Sequence, residues 1–164
     1  MATKTDFTND EWRMLLASPM IAGMAVTIAD PSGIIGMLQE GWAGARSMLE
    51  PKNDAGASAL AKAIAEDVTT SEGRSLAQDF VKSRITGKSA AELKPQIIAV
   101  LEDVGSLIDR KAPAEAASFK AWLKHTAEKV AEASTEGGFM GFGGVAVSDA
   151  EKATIDDVAR ALRA

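Results

Sequence analysis

The sequence predicts an all-α fold, a compact multi-helix bundle of about six to seven helices with one glycine-rich loop before the C-terminal helix. Three observations carry this. Apolar residues recur at three- and four-residue spacing in successive segments. Most of these segments open on a helix start signal. The one strand-like stretch, Val145-Ala146-Val147, has no partner with which to form a sheet. With 164 residues, 46% of them hydrophobic, the chain can bury one core without disulfides, so residues 1–164 are expected to form a single helical domain. No segment repeats at a fixed period, which argues against a solenoid.

Thr8-Asn9-Asp10-Glu11 reads as a capping box and starts the first helix. Ser18-Pro19 repeats the start signal, because proline suits the first helical turn and disfavours helix at the residue before it. A break or kink is expected there, followed by a short helix to about Ala29. Asp30-Pro31 gives a third start, feeding a helix from Ser32 toward Glu50 that Pro51-Lys52-Asn53-Asp54 ends. Leu60, Ile64 and Val68 mark one further short helix, and Leu76, Phe80, Val81 and Ile85 mark another after Thr69-Thr70-Ser71.

Ser89-Ala90-Ala91-Glu92 reads as a capping box ahead of the cleanest amphipathic stripe, Leu93, Ile97, Val100, Leu101, Val104, Leu107 and Ile108. Pro113 is expected to open the next helix, with Phe119, Trp122, Leu123, Thr126 and Val130 inward and Lys120, Lys124, Glu128 and Glu132 toward water. Five glycines between Gly137 and Gly144 end it in a loop. Ser148-Asp149-Ala150-Glu151 caps the last helix, whose face is Ile155, Val158, Ala159 and Leu162.

Composition narrows the function. The absence of cysteine rules out a disulfide framework, a thiolate metal site and cysteine nucleophiles, and it suits a reducing cytoplasm. The polar start Met1-Ala2-Thr3-Lys4-Thr5-Asp6 is unlike a secretory signal. The apolar run Pro19–Ala29 is far shorter than the roughly 20 residues that span a bilayer, so no membrane span is expected. A net charge of −5, with no basic stripe and 5% aromatics, disfavours nucleic acid as a partner.

Several motifs resemble sites without completing them. Thr86-Gly87-Lys88-Ser89 is like the end of a phosphate-binding loop, but the position that needs the earlier glycine is Lys82. A helix-ending glycine and an N-cap serine explain it better. Gly141-Phe142-Gly143-Gly144-Val145-Ala146 matches a dinucleotide fingerprint, yet no strand precedes it. His125, the only histidine, falls among Lys124, Glu128 and Lys129 on the water-facing side of its helix. Neither a G-x-S-x-G turn nor the Glu-x-x-His pairs of a di-iron centre are present. The reading therefore assigns no catalytic residue, no cofactor and no metal ligand.

Two features stand out. Met14, Met20, Met24, Met37 and Met48 accompany Gly23, Gly33, Gly36, Gly41 and Gly44 in the first third of the chain. Methionine adapts to partners and glycine admits close helix approach, so the flank carrying Gly33, Gly36, Glu40 and Gly44 is a candidate contact surface. Phe139 and Phe142 in the glycine loop are the second candidate; they are expected to fold back on the helices rather than frame a phosphate.

The string from Glu136 to Lys152, with the motif GGFxGFGGVxVSxxEK, resembles a group of short bacterial all-helical proteins. Phe7-Thr8-Asn9-Asp10-Glu11-Trp12 and Ser18-Pro19-Met20-Ile21-Ala22-Gly23-Met24 extend the resemblance more loosely. It implies a bacterial origin and carries no established activity. The functional expectation is a noncatalytic helical protein acting by protein–protein contact or self-association. The alternative is a small-molecule-binding protein or enzyme with a carboxylate-lined pocket between helices, drawing on Glu40, Glu102, Asp103 or Glu136.

Overall fold

The computed structural model describes residues 1–29, 46–136 and 147–164. Among its described residues there is no strand, and six α-helices are described from end to end: α1 Asn9–Thr27, α2 Ala59–Val68, α3 Ser71–Arg84, α4 Ala90–Lys111, α5 Ala116–Glu136 and α6 Asp149–Leu162; residues 46–49 are also α-helical. Short 3-10 turns at Lys4–Asp6 and Glu50–Lys52 precede α1 and α2. The all-α multi-helix expectation holds.

The helix α1 is the hub. From Leu15 to Val26 all residues but Met20 and Met24 are buried, as befits a helix enclosed by other helices. It packs against α5, α3, α4, α6 and α2, while α6 closes the bundle over α4 and α5. Leu15, Leu16 and Ile21 meet a core filled by Ile64, Leu101, Phe119 and Leu123, all at 0–1% exposure. Gly23 lets α5 come close, since a Cβ there would sit 3.2 Å from Val130 Cγ2. Gly105 does the same for the end of α6, with the Leu162 carbonyl oxygen 2.8 Å from where a Cβ would stand.

Of the three capping boxes read from the sequence, two are formed reciprocally, at Thr8/Glu11 and at Ser148/Glu151. At the start of α4 the geometry differs. Ser89 accepts from the Glu92 amide, but the Glu92 carboxylate reaches one residue further back, to the Lys88 N–H at 2.7 Å. The box is therefore half-formed.

Three other expectations are corrected. The first helix does not break at Ser18-Pro19; α1 runs through Pro19 as one helix of 19 residues. Proline has no N–H to give the Leu15 carbonyl four residues back, and the Ser18 hydroxyl donates to that carbonyl instead, at 2.8 Å. Pro113 does not open α5; it begins a turn, and the helix starts at Ala116. Lys120 does not face water. It is 4% exposed, and its ammonium donates to Asp109 Oδ1 on α4 at 2.7 Å. The predicted inner face of α5 is correct, with Phe119, Trp122, Leu123, Thr126 and Val130 all buried.

Candidate functional site

The largest cavity among the described pockets, about 650 Å³, opens where α3 and α4 part. Both helices pack on α1 but scarcely touch each other, although only residues 85–89 connect them. One side of the first turns of α1, at Asp10, Glu11, Arg13 and Met14, is therefore left open between them. Met14 from α1, Phe80 from α3 and Leu107 from α4 line an apolar strip.

Each helix also supplies charge. The Thr8 cap fixes the first turns of α1 and so presents Asp10, Glu11 and Arg13. On α3 the lining runs from Asp79 to Arg84, and on α4 from Asp103 to Arg110. The two walls meet at the Arg84–Asp103 ion pair, 3.8 Å, with the Arg84 guanidinium 5.9 Å from the Phe80 ring centroid. Asp10 and Arg13 form a loose pair at 3.9 Å. Glu11 is firmly engaged: the Lys111 ammonium at 2.7 Å, and after it the Thr8 amide, hold its carboxyl below the usual carboxylate range. Among the described residues, Asp79 and Arg110 have no ion-pair or hydrogen-bond partner.

The cleft contains no nucleophile–base pair among its described side chains. The Ser83 hydroxyl is spent on the Phe80 carbonyl at 2.8 Å, and no hydrogen bond joins Ser106 to a carboxylate. No group of three or more potential metal ligands occurs among the described residues. What the cleft offers is apolar contact framed by fixed charges of both signs.

A second groove of about 530 Å³ lies between the start of α4 and α6. Lys94 binds Asp157 there at 2.7 Å, and Arg160 also donates to Asp157. The Lys94 ammonium holds the Asp157 carboxyl below its ordinary range. On α5, Trp122 donates to the Ser47 carbonyl at 3.1 Å, and His125 Nε2 lies 3.2 Å from Glu50 Oε2. Together they fasten the segment before α2 to α5. His125 is half-exposed, as its place on the helix predicts, but it has acquired a carboxylate partner from a distant segment.

The phosphate-loop look-alike is used up internally. The Thr86 amide donates to the Gln96 side-chain carbonyl at 2.9 Å, and the Lys88 amide to Glu92. A carboxylate therefore sits where a phosphate would need to be, and a Cβ at Gly87 would meet Glu92 Cβ at 2.9 Å.

Gly33, Gly36, Glu40, Gly44, Phe139 and Phe142 lie outside the described residues, as do the helix start at Asp30-Pro31 and the fingerprint at Gly141–Ala146. Of the other carboxylates proposed to converge, Glu102 and Asp103 belong to different pockets, and Glu136 ends α5. In sequence, Phe80 and Leu107 read only as apolar helix-face residues, and no spacing marks Asp79 or Arg110. No family model, curated protein or solved structure matches this chain. No helix among the described residues is long and apolar enough to cross a membrane.

Proposed function

We propose that this chain is a noncatalytic binding protein, and that the cleft between α3 and α4 receives an amphipathic helical segment of a partner protein. One observation carries the reading: two helices that share a support but diverge leave a slot with an apolar strip between charged walls. Helix-in-groove recognition requires that arrangement, with the apolar stripe of the incoming helix on the strip and its flanks against the walls. Mixed charge favours a peptide over an anionic or cationic small molecule, because a peptide helix carries both signs on its flanks. Cysteine-free composition and the resemblance of the C-terminal motif support a bacterial cytoplasm as the setting.

The cavity's volume, within the range of about 300–1,000 Å³ typical of ligand pockets, favours a second reading, a small-molecule site lined by Asp10, Glu11, Asp79 and Asp103. Selection from a displayed library of 20-residue helix-forming peptides separates the two. Enriched peptides are expected to bind the wild type and to lose about tenfold or more, about 1.4 kcal/mol, on Phe80→Ala protein that still melts cooperatively. A dimer in sedimentation that Phe80→Ala dissociates would make a second copy the occupant. Failure to enrich any peptide would overturn the peptide reading in favour of the small-molecule one.

A further inference from the structure

We infer, resting on the cleft as a helix-binding slot, that Asp79 and Arg110 select the incoming segment by charge: it presents a carboxylate to Arg110 and a cationic side chain to Asp79. Seven charged side chains line the cleft, and five of them are already balanced. Asp10 is paired with Arg13, Glu11 with Lys111, and Arg84 with Asp103. Asp79 and Arg110 are the remaining two, of opposite sign and on opposite walls.

Their positions follow from helix geometry. The Arg84–Asp103 pair marks one point where the walls meet. Asp79 lies five residues back along α3, about 7.5 Å, and Arg110 seven residues forward along α4, about 10 Å. Each adjoins the apolar strip, Asp79 next to Phe80 and Arg110 one turn beyond Leu107. A segment lying on the strip therefore passes both charges.

Exposed rim charges act mainly on the encounter rate and on the rejection of wrong partners. A segment with uncharged flanks would take water from Asp79 and Arg110 and return nothing, and one with reversed charges would meet repulsion at both. The same strip without these two charges would accept any apolar helix of the right width. The pair thus supplies what the strip lacks, a preference for one orientation of the occupant.

The peptides selected from the library serve as the probe. They are expected to carry an acidic and a basic position on opposite flanks of the apolar stripe, and to bind more slowly as salt rises. Arg110→Glu should weaken them about tenfold, and a peptide whose acidic position is changed to lysine should regain most of that loss on the variant. Arg110→Gln, which cannot repel, should cost about threefold and serves as the milder variant if Arg110→Glu folds poorly. Peptides that need Phe80 but ignore both Arg110 variants and salt would overturn the charge selection and leave the slot intact. A library that yields no binder would overturn both.

Discussion

Ser18 and Pro19 give the sharpest test of how α1 survives a proline in its middle. Pro19 removes the amide that would bond the Leu15 carbonyl, and the Ser18 hydroxyl, fully buried, replaces it at 2.8 Å. Ser18→Ala should therefore strand a carbonyl inside the core at a cost of about 1–2 kcal/mol. In a Pro19→Ala background the restored amide serves Leu15, and the same change should cost nothing or add up to about 0.5 kcal/mol from alanine's helix preference. The cavity left by the lost pyrrolidine ring appears on both arms of the cycle and cancels, leaving a coupling of about 1–2 kcal/mol. Urea titration with an unchanged m-value measures it, and thermal unfolding should show the single Ser18→Ala variant lower by roughly 2–8 °C. Equal costs of Ser18→Ala in both backgrounds would refute the replacement bond.

Burial pushes the Asp67 carboxyl up, but donations from Trp12 Nε1 at 2.8 Å and Lys4 at 3.0 Å together outweigh it and hold the group below its ordinary range. Its folded-state pKa is depressed, so the stability it contributes is present above its unfolded pKa and is lost as pH falls through the folded value; Asp67→Asn should flatten that acid limb, read by Trp12 fluorescence. The Lys120–Asp109 pair is asymmetric, with 5% and 38% side-chain exposure. Asp109→Ala strands a buried ammonium and should cost about 3 kcal/mol or more, whereas Lys120→Met keeps the packed stem and should stay within about 1 kcal/mol, both by denaturant titration. His125→Gln should shift stability by no more than about 0.5 kcal/mol in the same assay, since both partners of the Glu50 contact are half-exposed.

Helix content and inner faces were readable because each depends on local spacing. The α4 stripe and the α5 face are periodic, and the Thr8 and Ser148 boxes need only residues three apart. The failures arise where a neighbour decides. Lys120 borders the inner face of α5, and only the arrival of Asp109 from α4 makes its burial tolerable. Pro19 reads as a boundary until the hydroxyl beside it is seen to take over the missing bond. The cleft is a property of how α3 and α4 diverge, which no spacing encodes; Asp79 and Arg110 are ordinary surface charges in sequence and become notable only beside the strip.

The placement of α1 also sets the order in which the molecule can be completed. Among the described helices, the one at the centre of the bundle is translated before the others, and α6, which packs against it, after them. Roughly 120 residues separate them, so at about 5–20 residues per second the ribosome needs roughly 6–24 s to supply the final cover. Throughout that interval the run from Leu15 to Val26, apolar on every side, is only partly enclosed. Slow codons between α1 and α6 would lengthen the time for which that surface stays open.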